Sequence, residues 1–206
     1  MGGRYALSPV TGPSELPVLL TEVKSYLRLE EGQSDENPTL EAFLKSATFY
    51  LDGPAGISGR ALTSQTWDYI LDGFPSSDAL MLPLPPLQSV ASITYKDSDG
   101  VSTVMPAADY TVDPDSEPGR VVLNYGKSWP NATLNPTNPI KVRFTAGYDG
   151  PGGLKPLPAP LKVVLFLLIA HWYENREPVM MDGRTEPVEI PFAISSLLAP
   201  LRFRFV

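Results

Sequence analysis

The chain's only histidine, His171, stands three residues before Glu174. At that spacing two ligands share a helix face and can hold a metal between them. Such centres draw on further carboxylates and a second imidazole, and a single chain with one His cannot supply the latter. A Ser-His-Asp hydrolase would also have to use His171, in a nearly all-apolar stretch and without a Gly-x-Ser-x-Gly turn to present the serine. The bland reading of His171 is a boundary residue near a helix C-terminus, where a partial negative charge favours it. Gly126-Lys127-Ser128 matches the end of a phosphate-binding loop, but Val121 stands where that loop needs Gly, and Trp129-Pro130 follows where a helix should open. Asp113-Pro114-Asp115-Ser116-Glu117 alternates acids as calcium loops do, yet lacks the glycine at the sixth position and the distant bidentate Glu; Asp and Pro also form ordinary turns. The C-terminal Arg202-Phe203-Arg204-Phe205-Val206 alternates charge and aromatic. It reads either as a segment that adds to a partner surface, with Phe anchors, or as a tail folded back on its own core.

The elements that must position these residues follow from periodicity. Thr21 is placed to cap a short helix over 22–29, with Glu22 near its positive end. Pro38 suits a first helical turn, and Leu40, Phe43, Leu44, Ala47, Tyr50 and Leu51 follow at helical spacing, so an amphipathic helix is expected there. From Thr63 the period changes to two. Trp67, Tyr69 and Leu71, then Ala91, Ile93 and Tyr95, alternate with polar residues, as do Tyr110 and Val112, Val121, Leu123 and Tyr125, and Ile140, Val142, Phe144 and Ala146. Asp99-Gly100 marks a hairpin, and Pro83, Pro85 and Pro86 are expected to hold an extended edge. Asp149-Gly150-Pro151-Gly152-Gly153 reads as a linker. Beyond Pro160, Leu161, Val164, Leu165, Leu168, Ile169 and Trp172 form one stripe, and Val163, Phe166, Leu167, Ala170 and Tyr173 are apolar too. A helix apolar nearly all round is buried on most sides: it is the central core helix, or neighbouring subunits cover part of it. Pro191 opens a last short helix that Pro200 closes. The expected fold is therefore α+β, a helical core (1–62 and 149–206) interrupted by a small antiparallel β insertion (63–148).

Composition narrows the function classes. The 206 residues include no Cys, 23 Pro and 43% hydrophobic residues, and the net charge is −7. Disulfide scaffolds, Cys-ligated zinc and thiol nucleophiles are excluded, and an acidic balance argues against tight duplex binding. No secretory signal is legible at the start, and the longest purely apolar run, Val163 to Ala170, falls far short of the roughly 20 residues a membrane span needs. No cofactor is expected, and no credible active site.

Several stretches, taken in order, resemble a known family: Leu20-Thr21-Glu22-Val23-Lys24-Ser25-Tyr26-Leu27-Arg28, Gly59-Arg60-Ala61-Leu62, Leu82-Pro83-Leu84-Pro85-Pro86-Leu87, Glu117-Pro118-Gly119-Arg120, Val142-Arg143-Phe144-Thr145-Ala146-Gly147-Tyr148, His171-Trp172-Tyr173-Glu174-Asn175-Arg176-Glu177 and Leu197-Leu198-Ala199-Pro200-Leu201-Arg202. Together they are similar to the head–tail connector (adaptor) proteins of long-tailed bacteriophages, prophages and gene-transfer agents. The resemblance implies a structural virion protein at the head–tail junction, assembled in the host cytoplasm, and not an enzyme. It implies a cyclic homo-oligomer, commonly dodecameric, docked beneath the portal protein, extending the DNA channel and offering a platform to the stopper or tail-completion protein. DNA would pass through an acidic lumen without specific binding. The over-apolar helix would then pack laterally between subunits, with Val163, Phe166, Leu167 and Tyr173 as candidate interface residues. In related connectors the C-terminal segment reaches the portal, which makes Arg202, Phe203, Arg204, Phe205 and Val206 candidate portal-binding residues. The alternatives are a stopper or tail-completion protein one ring further down, or a small non-viral binding module.

Overall fold

A computed structural model of the chain describes residues 5–13, 15–30, 32, 34–150, 155–175, 180–181, 184–185 and 192–205. It divides into two units, each built from segments distant in sequence. A β unit takes 1–14, 63–148 and 205–206; a helical unit takes 15–62 and 149–204.

The β unit holds eight strands: β1 (Tyr5–Thr11), β2 (Gln65–Leu71), β3 (Ala79–Met81), β4 (Leu87–Lys96), β5 (Ser102–Val104), β6 (Tyr110–Asp113), β7 (Arg120–Leu123) and β8 (Ile140–Ala146). They form two antiparallel sheets, ordered β1-β2-β8-β4-β5 and β3-β7-β6. The period-two pattern sets which face is buried. Trp67, Tyr69 and Leu71 of β2 stand opposite Phe144, Val142 and Ile140 of β8, and Ile93 of β4 stands opposite Val142; all are buried. A slip of one residue would turn this whole apolar set to the other face. That other face carries a cross-strand ion pair. Arg143 donates from Nε to Asp68 Oδ1 at 2.8 Å and from Nη2 to Oδ2 at 2.9 Å, and Lys141 stands 3.6 Å from the same carboxylate. Hydrogen bonding from Arg143 outweighs burial and holds the Asp68 carboxyl below its ordinary pKa. Tyr5, Tyr69 and Phe205 form an aromatic trio with ring centroids 5.7–5.9 Å apart. Burial, with Tyr5 beside it, pushes the Tyr69 phenol up to about 12.

The helical unit contains α1 (Leu20–Tyr26), α2 (Asn37–Leu51), α3 (Ala159–Glu174) and α4 (Phe192–Leu198), with a two-residue strand pair, β9 (Met180–Met181) and β10 (Arg184–Thr185), between α3 and α4. Leu161, Val164, Leu165, Leu168 and Ile169 make the buried stripe of α3. They pack against α2, which buries Leu40, Leu44, Ala47 and Leu51, and against α4 through Ile194 and Leu198. Each such side chain contributes roughly 1.5–3 kcal/mol when withdrawn from water. The first helix begins two residues earlier than Thr21 capping would give: the backbone N–H of Leu19 donates to Glu22 Oε2 at 3.0 Å, the Glu half of a capping box. No described helix is long and apolar enough to cross a membrane.

This architecture overturns the expected helical core with a small β insertion. Sheet is no minor insertion: among the described residues eight strands form the two antiparallel sheets of the β unit, a ninth and tenth pair separately, and only four α-helices accompany them. The β part is not confined to the middle of the chain either, because β1 supplies the edge strand of the larger sheet. Its pattern explains why the sequence hid it. Every residue of Tyr5-Ala6-Leu7-Ser8-Pro9-Val10-Thr11 except Leu7 is exposed, so no apolar alternation exists to read, and Pro9 is tolerated only because an edge strand can forgo one N–H. The three-residue β3, with Leu80 buried at its centre, is too short to show a period. The proline-rich link 82–86 also departs from its expected edge position, since Leu82, Pro83, Leu84 and Pro85 are buried.

Candidate functional site

The chain beyond α2 folds back on the helix end and prepares a seat for the tail. Ile57 N–H donates to Tyr50 O at 3.0 Å and Gly53 N–H to Arg60 O at 2.8 Å. Ser58 Oγ donates to Leu51 O at 2.6 Å, and Asp52 Oδ1 accepts the Leu62 N–H at 2.6 Å. These bonds fix residues 57–60 as a rigid ledge whose outward carbonyls remain available.

The tail uses them. Phe203 N–H donates to Ser58 O at 2.9 Å, Arg202 Nε donates to Ile57 O at 2.9 Å, and the buried Arg60 donates from Nε to Leu201 O at 2.5 Å. Gly59 sits at φ +67°, and a Cβ there would overlap the Phe203 carbonyl oxygen. Of the two readings of the C-terminal segment, the folded-back one describes residues 201–203. Arg204 is exposed, and Phe205 packs in the aromatic trio of the β unit. Val206 lies outside the described residues.

With the tail seated, a cleft of about 540 Å³ opens in the helical unit. Tyr50, Ile57, Ile194, Leu198 and Ala199 give it an apolar lining, and Arg202 and Arg204 place two guanidinium groups on its wall. Two large aromatics one and two residues before lining positions are held in solvent: Phe49 on α2 is 80% exposed and Phe192 at the start of α4 is 86% exposed.

The candidate interface residues of α3 fall into two situations. Val163 is 40% exposed, while Phe166 lies against α1. Phe166 stacks on Tyr26 with centroids 5.1 Å apart, Lys162 pairs with Glu22, and Leu19 is exposed nearby in the chain. Burial works against the Glu22 carboxylate, but the Lys162 ammonium and the Leu19 N–H outweigh it, so its pKa falls below the ordinary value. Leu167 and Tyr173 are half-buried.

The residues weighed for chemistry occupy structural posts. His171 is half-buried, and its Nε2 is buried without a hydrogen-bond partner among the described residues. No group of three or more His, Asp and Glu suited to a metal occurs among the described residues. Lys127 is ion-paired with Asp109 at 2.6 Å in a turn after β7, so Gly126-Lys127-Ser128 opens no helix. Asp113 accepts from Arg120 Nε at 2.9 Å and from the backbone N–H groups of Asp115 and Ser116; the Arg120 bond first of all lowers its pKa. Residues 151–153 of the expected linker lie outside the described residues, while Asp149 accepts the Lys155 N–H at 2.8 Å.

Sequence reasoning missed the grip on the tail, Ser58, Gly59 and Arg60. Gly56 and Gly59 just after a helix end are the one trace of it in the sequence, and they mark a turn without showing what the turn holds.

No family model matches the chain, and no curated protein matches it. Solved structures do. A chain from the neck of an empty GTA particle, computed with C6 symmetry, is 27% identical with a TM-score of 0.72, covering 98% of this chain and 97% of that one. A chain from the virion of a native gene transfer agent (GTA) particle is 26% identical with a TM-score of 0.70, covering 97% and 96%. A chain from the neck of a native GTA particle computed with C12 symmetry, 24% identical with a TM-score of 0.66 and covering 98% and 97%, shares the fold. This chain is thus similar, from end to end, to chains of gene transfer agent necks and virions. That likeness supports a structural role in the neck of a phage-like particle and a location in the virion.

Proposed function

We propose that this chain is the head–tail adaptor of a tailed phage or phage-like particle, a ring-forming structural protein and not an enzyme. The observation that carries this reading is the end-to-end likeness to a neck chain at 27% identity and TM-score 0.72. The cyclic symmetry named for two of the similar necks fits a closed ring, in which each copy presents two different patches to its neighbours. The exposed apolar side chains along α1 and α3, Leu19, Tyr26 and Val163, suit one of those patches.

The ring would lie beneath the portal protein and continue the DNA channel towards the stopper and tail. A net charge of −7 suits such a channel: acidic walls leave the phosphate backbone free to slide, whereas a basic lumen would retain it. The segment 202–206, seated on its own ledge as far as Phe203, would meet the portal through its exposed side chains, Arg202 and Arg204 among them.

Native mass spectrometry of the chain mixed with the portal protein of the same genome tests the reading. One copy per portal subunit is the expected result. An intact portal ring that takes up no copies would overturn the adaptor position and favour a stopper or tail-completion protein one ring further down.

A further inference from the structure

The tail contributes to a cleft in which apolar lining and cationic wall occur together. We propose that this cleft is a docking site for an acidic segment of another particle protein, one that carries an aliphatic or aromatic anchor. The assignment deepens the neck reading and rests on it for the source of the partner.

Charge decides the chemistry of the occupant. The chain carries 23 acidic and 16 basic residues, yet among the described residues no acidic side chain lines this cleft. Arg202 and Arg204 are both exposed there, and neither has a carboxylate partner among the described residues. Arg202 is held in place by its bond to Ile57 O, so its charge is pre-positioned and less entropy is lost on binding. Guanidinium groups favour carboxylates through paired N–H donors. The lining of Tyr50, Ile57, Ile194 and Leu198 calls for an apolar side chain from the same segment, and the volume of about 540 Å³ lies within the range of pockets that enclose ligands. This chain's own alternating acidic run is a poor occupant, because Asp113 is already engaged by Arg120 and by its own turn.

The test uses the full-length protein and a dye-labelled hexapeptide, Asp-Glu-Leu-Phe-Glu-Asp, with a control in which Lys replaces every acid. Fluorescence anisotropy is expected to show binding of the acidic peptide alone, weakened by salt. Arg204→Glu is expected to weaken it about tenfold or more, and Arg204→Lys to restore most of it. Ala199→Trp, which fills the cleft without changing charge, is expected to abolish binding while the circular dichroism spectrum is unchanged. Equal binding of both peptides, no binding of the acidic peptide, or binding indifferent to Arg204→Glu and Ala199→Trp would overturn the proposal. Self-association abolished by Ala199→Trp would make a second copy the occupant and overturn the assignment to another protein. Recovery of the chain in purified particles reads the neck role by itself. A chain present in particles whose cleft ignores the acidic peptide refutes the cleft alone; a chain absent from them refutes the neck reading.

Discussion

The carbonyl oxygen of Phe203 occupies the space in which a side chain at Gly59 would begin. The two residues are 144 apart in sequence, and their contact defines where the tail lies. Gly59→Ala would meet both an unfavourable backbone region, at φ +67°, and a steric overlap, together costing about 1–3 kcal/mol. The expected result is a tail released from its ledge with the rest of the helical unit folded. Faster trypsin cleavage at Arg202 and Arg204 checks it; an unchanged cleavage rate would refute the latch.

Truncation is a blunter tool. Deleting residues 201–206 removes the acceptor that buried Arg60 uses, Leu201 O, and takes Phe205 from Tyr5 and Tyr69. An unmet buried donor alone costs about 1–3 kcal/mol. The truncated chain is therefore expected to melt several degrees lower as well as to lose portal docking. An unaltered melting temperature would mean that these contacts contribute nothing.

Acid stability should depend on Asp68. Its pKa is lower folded than unfolded, so its contribution is fully present above the unfolded value, about 3.9, and is lost as pH falls through the lower folded value. Asp68→Asn is expected to destabilise the protein by about 1–3 kcal/mol at neutral pH and to flatten the fall of stability below about pH 4. Urea titrations at pH 7 and pH 3 on both proteins read this; equal losses for both proteins between the two pH values would refute it.

Two substitutions on α3 separate core from surface. Leu165 is fully buried, so Leu165→Ala is expected to cost about 2–5 kcal/mol. Val163 is 40% exposed, so Val163→Glu is expected to change monomer stability by no more than about 0.5 kcal/mol while blocking ring closure on the portal. Denaturant titration and native mass spectrometry distinguish the two. Intact rings with Val163→Glu would remove this residue from the subunit interface.

Legibility followed exposure. The strands β2, β4, β7 and β8 and the helices α2 and α3 announce themselves because each buries a face or stripe, and burial is what periodicity records; β6 is only half-buried. The first strand buries almost nothing and left no trace; its place at the sheet edge exists only through pairing with β2. That missing strand is why the β part looked like an insertion. The residues Val163 and Phe166 were visible as surplus apolar positions on a helix. The ledge of Ser58, Gly59 and Arg60 was not, because it works through backbone carbonyls and an absent Cβ, neither of which has a periodic signature. The aromatic tail was conspicuous, but alternation alone does not distinguish a free arm from a segment seated on its own molecule.

The interleaving of the two units has a consequence for synthesis. The β unit begins with Tyr5 and is completed by Phe205, while the helical unit waits for Leu201 and Phe203. Neither is finished until residues 201–205 have left the ribosome. A prematurely terminated product therefore lacks closing contacts of both units at once. Such a product is expected to open locally more often, and so to be cut by proteases faster, than a chain that carries residues 201–205.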